Sequence, residues 1–555
     1  MILKKISNLY LPNLFFIFTL ILSYLIGLLF YNVTDGLDWQ TYYKYIDYFL
    51  YGNNEITENQ GLIYYFIISS TIKSQLSLIG PYNILEVFNN GIQLGNFLLY
   101  CLGLFGLFKL FISEGFSKKN IMYTLSILNF FPSVIFLRLT MKPEILAFAL
   151  LPWFLYCSKK YLQSKSFVYL ISACFSLSIL LTSKASIAAM ITLVFIAVFK
   201  NDSIMFLKDK KFILLFILIF LLLSYENYLI TDKTILQKEV LEQYENRASF
   251  KFLYYINLPL LITDPYKFLH SNSLVSIILL DTFGDYFDFF WNNDESYFVM
   301  DTVKYTNNFF ISSYLRKYIG IFLTIIFYLL NLFFLKKNIK KAYLYFPFIG
   351  IFTLLLSSFG IPSNNFDPLA ADTLKVHYYA FLLAITFSYL ILKIFDRTKY
   401  NLIYSQILIL LFVFLFGFPK SFSVNLENQL LHKFYLSEVC SVSLIEKTDE
   451  ANCKNQSSIT CTEDPFTYEY DQEVVVKTDH RVATTLYYLP IQLSKNDIEV
   501  SARSRLECVN YFNNGYRYLS KYKILNEPRA PFINVLSFLL FCISAIFTNR
   551  KETLN

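Results

Sequence analysis

Polar residues that interrupt long apolar stretches are the first candidates for chemistry. Asp35 and Asp38 stand three apart in TDGLDWQTYY, directly after the first such stretch. On a helix they share a face, and in a turn Asp35-Gly36 is the natural tip. A carboxylate partly buried at a membrane surface has a raised pKa and can take a proton from a hydroxyl, so both are candidates for a general base. The plainer reading of Asp38 is an N-cap for the amphipathic run WQTYYKYIDYF. A second group is Arg138, Lys142 and Glu144 in RLTMKPE. Pro143 and Glu144 suit the first turn of a helix, which leaves two cations without a structural reason. Lys184 in LTSKAS, and Lys375 and His377 ahead of YYAFLL, are further basic residues beside apolar runs. Such residues attract a lipid phosphate, or snorkel to headgroups.

A third group is acidic. Asp281, Asp285 and Asp288 in LLDTFGDYFDFFW fall at i, i+4 and i+7, with Trp291 beyond them. On one helix they form a stripe that repels itself unless a cation, a basic residue or a sugar hydroxyl relieves it. Asp372, in the segment before Lys375, and Glu144 join them as candidates to bind sugar or acceptor. No His or Cys spacing marks a metal site. A divalent cation, Mg or Mn, at Asp281 and Asp285 stays open beside the sugar reading.

The elements that position these residues are legible from composition. Over 555 residues, 55% are hydrophobic, 19% aromatic and 16% charged, where a soluble chain carries about 25% charged residues. Mean hydropathy is +0.45. These values exclude disorder, a fibre and a small disulfide scaffold, and they argue against a nucleic-acid partner.

Stretches of roughly 20 apolar residues predict spans near 9–30, 92–112, 120–137, 143–157, 166–182, 185–199, 212–230, 316–335, 342–358, 376–395, 402–418 and 532–548. The fold class expected is a polytopic α-helical membrane protein of about twelve transmembrane helices. With Lys4 and Lys5 holding the N-terminus in the cytoplasm, twelve spans put Lys118-Lys119, Lys159-Lys160, Lys208–Lys211, Lys336-Lys337, Lys393–Lys399 and Arg550-Lys551 on the cytoplasmic side, as the positive-inside bias requires. Residues 62–80 are apolar too, but counting them inverts every later cluster. They are expected as a helix in the outer interface.

This topology makes 1–418 a transmembrane domain with outer loops 31–91, 231–315 and 359–375. Residues 419–531 form a small extracytoplasmic domain, α+β or β, and 532–555 the last helix and a cytoplasmic tail. The domain holds strand-like runs (DQEVVVKT, ATTLYYLPIQL) and Cys440, Cys453, Cys461 and Cys508. Four cysteines in an exported domain suit two disulfides, with three pairings open. The expected location is the plasma (inner) membrane, with both termini cytoplasmic. No phosphate-loop, dinucleotide, zinc-protease or serine-hydrolase motif occurs.

One span, a long outer loop opening with Asp, many further spans with short cytoplasmic loops and a C-terminal outer domain resemble the GT-C superfamily of polytopic glycosyltransferases. FPSVIFLRLTMKPEILAFALLPWFLY is similar to the family region where a charged pair follows the third span, and DTFGDYFDFFW and ADTLKVHYYAFLL resemble segments of bacterial members. The likeness covers roughly residues 1–400. It implies a donor sugar on a polyprenyl phosphate, with a glycan, lipid or protein acceptor. Asp38 or Asp35 would then serve as base, and Arg138, Lys142, Lys184, Lys375 or His377 would hold the donor phosphate. Two alternatives stay open: an O-antigen or exopolysaccharide polymerase, which the stretch Glu58-Asn-Gln-Gly61 also resembles, and a non-enzymatic transporter or scaffold for lipid-linked sugars.

Overall fold

The computed structural model describes residues 2–30, 42, 45–46, 48–50, 60–79, 84–199, 206, 208–231, 256, 258–263, 273–284, 313–338, 341–360, 376–416, 440–442, 459–461 and 530–553. Nearly all of them are helical. The helices are α1 (Ile2–Phe30), α2 (Leu62–Ile79), α3 (Ile84–Ser113), α4 (Lys118–Leu128), α5 (Pro132–Leu139), α6 (Glu144–Ser164), α7 (Phe167–Ser183), α8 (Ala185–Val198) and α9 (Lys210–Thr231). After the short α10 (Leu258–Thr263) and α11 (Leu274–Asp281) come α12 (Ser313–Lys337), α13 (Phe346–Gly360), α14 (Ala380–Phe395), α15 (Asn401–Phe416) and α16 (Phe532–Thr553). One 3-10 turn, Ala342–Tyr345, leads into α13, and another, Val376–Tyr379, leads into α14. Two short strands, β1 (Cys440–Val442) and β2 (Ile459–Cys461), pair antiparallel with Cys440 opposite Cys461. The runs DQEVVVKT and ATTLYYLPIQL lie outside the described residues.

Among the described residues, five helices are long and apolar enough to cross a membrane: those containing Leu11–Leu29, Asn89–Ser113, Lys210–Thr231, Leu315–Lys337 and Val376–Phe395. Their outer faces carry Leu14, Phe18, Leu214 and Phe322, each more than 60% exposed. Such stripes are unfavourable in water and natural in hydrocarbon. The architecture is that of a helical membrane protein. At its centre α6 is wrapped on every side, and each side chain from Glu144 to Ser158 is buried. Its closest neighbour is α3, where a β-carbon on Gly103 would sit 2.5 Å from the Phe148 ring.

The stretch read as one span at 120–137 is a bent pair. α4 and α5 meet at 63°. Pro132 lacks the N–H a continuous helix would use and starts α5 instead. Polar partners satisfy the break. Ser23 Oγ donates to the Asn129 carbonyl (2.8 Å), Tyr100 donates to Asn129 Oδ1 (2.9 Å), and Asn129 Nδ2 donates to Thr19 (3.1 Å).

Contacts define two polar ends of the bundle. At one, Glu114 is gripped by Lys159, Lys341 (3.2 Å) and the Tyr343 hydroxyl (3.0 Å). Asn120 there bonds Asp396 (3.1 Å) and Asn401 (2.8 Å). Burial alone would raise the Glu114 carboxyl, but the two ammonium groups outweigh it and hold it below its ordinary value near 4.5. A depressed carboxyl contributes stability above that ordinary value and loses it as pH falls through the lowered one. Wild-type protein is therefore expected to lose thermal stability on acidification below the ordinary carboxyl value more steeply than Glu114→Gln, as read by unfolding in detergent.

α2 is oriented by α3. Tyr64 bonds Asn96, Ile68 lies on Gly95, and Ile72 and Thr71 lie on Gly91. The helix thus runs antiparallel to the first half of α3, away from the Glu114 end. α3 has 30 residues, about 45 Å of helix against a hydrocarbon core of about 30 Å. The segment expected in the outer interface packs against residues 91–96 of α3, because Gly91 and Gly95 let its backbone approach.

Candidate functional site: a basic cluster at one end of the bundle

At the end opposite Glu114, four segments converge. Lys142 lies in the link between α5 and α6. Asn96 Nδ2 fixes that link by donating to the carbonyls of Arg138 (2.8 Å) and Thr140 (2.9 Å). Glu144 opens α6. Lys184 is the single extended residue between α7 and α8. His377 and Tyr378 sit on the 3-10 turn before α14, whose Val376 N–H donates to Asp281 Oδ2 (2.8 Å).

These segments meet around one ring. Lys142 Nζ lies 2.9 Å from His377 Nε2, 3.4 Å from the Tyr378 hydroxyl and 4.6 Å from the Tyr378 ring centre. Lys184 Nζ lies 4.5 Å from the same ring centre and donates to Glu144 Oε1 at 2.7 Å. Lys142, Glu144 and His377 are buried, at 2%, 0% and 5% exposure. An ammonium can only donate, so against Lys142 the His377 Nε2 accepts, and the neutral ring carries its proton on Nδ1. Sharing one ring puts the two ammonium groups within about 9 Å of each other, a repulsion of about 2 kcal/mol at an effective dielectric of 20. α6 and α8 also begin here, with no side chain capping their first N–H groups. Helix N-termini are electropositive. Two lysines, two uncapped helix starts and one buried carboxylate suit a ligand that combines an anion with hydrogen-bond donors.

The structure thus brings together Lys142, Glu144, Lys184 and His377. Arg138 donates from its guanidinium to Ser23 Oγ (2.6 Å) and Ser23 O (2.7 Å), fastening α5 to α1. The acidic stripe does not hold as one helix. α11 ends at Asp281, and 282–284 are bent. The Asp281 carboxylate instead holds the turn that presents His377, which makes it a positioning residue. Asp35, Asp38, Asp285, Asp288, Trp291, Asp372 and Lys375 lie outside the described residues. Among the described residues no group of three or more His, Cys, Asp or Glu could hold a metal.

Sequence reading missed Tyr42, whose ring centre is 5.9 Å from Lys142 Nζ, and Tyr378. Nothing in an aromatic-rich sequence distinguishes them. It also missed Asn96 and Glu226, polar groups inside apolar helices, and that isolation was the available signal.

Gly61 braces the site from below. Its N–H donates to the Ser183 carbonyl (2.6 Å), and a β-carbon there would sit 2.6 Å from Ser183 Cα and from the Thr182 carbonyl oxygen. Both are backbone atoms and cannot swing away. Gly61→Ala is expected to displace the Lys184 link and lower stability by about 1–3 kcal/mol, measurable by thermal unfolding in detergent.

Fold and site together define a helical membrane protein with a buried basic cluster at one end of its bundle. No family model matches the chain, and comparison with curated proteins and with solved structures gives no match.

Proposed function

We propose that this protein is a membrane glycosyltransferase that moves a sugar from a polyprenyl-phosphate donor to a glycan, lipid or protein acceptor outside the membrane. The observation that carries the proposal is the convergence of Lys142, Lys184 and His377 on the Tyr378 ring, beside the buried Glu144. Lys142 and Lys184 bind the lipid phosphate there. The acceptor oxygen attacks the anomeric carbon, the bond from that carbon to the phosphate oxygen breaks, and polyprenyl phosphate leaves with the negative charge the lysines stabilise. The acceptor proton passes to Asp38 or Asp35. Support for that assignment is that Tyr42, four residues beyond Asp38 in the sequence, places its ring 5.9 Å from Lys142 Nζ.

In this reading the chain crosses the membrane twelve times. The five long spans are joined by the bent pair α4–α5, by α6, and by the five shorter apolar helices. Glu114, Lys159 and Lys341 face the cytoplasm, while Lys142, Lys184 and His377 face outward. Residues 419–531 then lie outside, where disulfides form. Opposed Cα atoms in an antiparallel pair are about 4.5–5.5 Å apart, within disulfide range. Cys440 and Cys461 stand opposite in register, and of the three pairings open to the four cysteines, Cys440–Cys461 is the one to test first. Peptide mapping under non-reducing conditions checks it.

Function is tested by following label loss from a panel of radiolabelled polyprenyl-phosphate sugars with purified protein and envelope lipid extract. Consumption by wild type that Asp38→Asn or Asp35→Asn abolishes supports the transferase. Binding without consumption favours a carrier, and a ladder of repeat units favours a polymerase.

A further inference from the structure

Glu144 has one oxygen in use and one idle. Its side chain is fully buried, and Oε1 accepts from Lys184 at 2.7 Å. Oε2 is equally buried and meets no hydrogen-bond donor among the described residues. Tyr64, close enough to feel the Glu144 charge, has its hydroxyl committed to Asn96 Oδ1 at 3.1 Å. A buried carboxylate oxygen without a donor is costly, so such an atom marks a place for a ligand group. A second cation is a poor candidate for it. Lys184 already balances the carboxylate, and Lys142 stands two residues away at the same cluster. The group that suits Oε2 is a neutral O–H or N–H.

We infer that Glu144 Oε2 accepts a hydrogen bond from a hydroxyl of the donor sugar, close to the carbon that bears the phosphate. This rests on the lipid-phosphate reading and adds to it which atom of the protein reads the sugar. Lys142 and Glu144 flank Pro143 at the start of α6, so a phosphate at Lys142 sets its attached ring beside Glu144. Phosphate recognition and sugar recognition then fall to different side chains. A donor without that hydroxyl leaves Oε2 buried and empty, and is rejected for that reason.

The test separates the two layers. Equilibrium binding is measured for polyprenyl phosphate alone and for the same lipid carrying a hexose, with wild type and Glu144→Gln. The amide keeps an oxygen for Lys184 but turns the idle acceptor into a donor. Wild type is expected to bind the glycosylated lipid at least tenfold more tightly than the bare one. Glu144→Gln should bind the bare lipid within about twofold of wild type and lose the tenfold preference. A variant that retains the preference overturns the inference, with Oε2 then holding only a water. A variant that loses both lipids equally also overturns it, since Glu144 would then act only by holding Lys184. Wild type that binds neither lipid overturns the lipid-phosphate reading itself, and this inference with it. A second measurement is independent of how the variant folds. Wild-type protein is titrated with deoxy analogues of the lipid-linked hexose, one hydroxyl removed at a time. One analogue should bind at least tenfold more weakly than the parent, and uniform binding across the set contradicts the assignment.

Discussion

Lys142→Met is expected to reduce sugar transfer by roughly 100- to 1,000-fold, the usual cost of removing one preorganised charge from a departing anion. The effect follows from where the ammonium sits. It is 2% exposed, against His377 Nε2 and over the Tyr378 ring, so solvent screens it little and its field acts at nearly full strength on a bound phosphate. Methionine matches the aliphatic stem, so packing against Tyr42 and Tyr378 is retained and the loss reports on charge. Lys184→Met should have a smaller effect on chemistry, because that ammonium is shared with Glu144 and its side chain is 19% exposed. Single-turnover rates at saturating donor separate the two, with binding of the bare lipid phosphate as the companion measurement.

Glu226→Ala is expected to release the last helix. The carboxylate sits inside α9 yet is 7% exposed, and it accepts the backbone N–H groups of Ile533 (2.7 Å) and Asn534 (2.6 Å) and the Asn534 side chain (2.8 Å). It caps the N-terminus of α16, where orphan N–H groups and the positive end of the helix dipole both favour an anion. Asn227 extends the clasp, accepting from Asn534 (3.0 Å) and donating to the Thr182 carbonyl (3.5 Å), two residues before Lys184. Removing the carboxylate takes the acceptor from the part-buried Ile533 N–H and the buried Asn534 N–H, while the Asn534 side chain keeps Asn227; at about 1–3 kcal/mol for each backbone donor, a loss of about 2–6 kcal/mol is expected in thermal unfolding. Glu226→Gln, which keeps one acceptor, should fall between. A variant as stable as wild type would show that α16 is held by its apolar face alone.

The fold was legible in the sequence wherever hydropathy decides it, because bilayer thickness fixes the length of a spanning helix. The five long spans fall where apolar stretches were read. The bend at Asn129–Pro132 was hidden because FFPSVIF stays apolar through the break, and hydropathy does not register which backbone groups lose their partners. The site was legible in part. Lys142, Lys184 and His377 drew attention as cations beside apolar runs, and they do meet. Their meeting was not readable, since 235 residues separate Lys142 from His377. Arg138 carried the same local signal, and its bonds to Ser23, 115 residues away, were equally unreadable from the sequence. Asp281 was read as part of a helical stripe; the helix ends on it, and its carboxylate accepts the Val376 N–H from a turn 95 residues away, a pairing the local sequence does not carry.

The cluster around Tyr378 is proposed as a lipid-phosphate site. Its most direct test is a binding comparison on purified protein between polyprenyl phosphate and the uncharged polyprenol of the same length, repeated with Lys142→Met. Saturable binding that depends on the phosphate is expected, falling at least tenfold in Lys142→Met while weak polyprenol binding stays unchanged. Equal binding of the phosphate and the alcohol, or phosphate binding that Lys142→Met leaves intact, would contradict it.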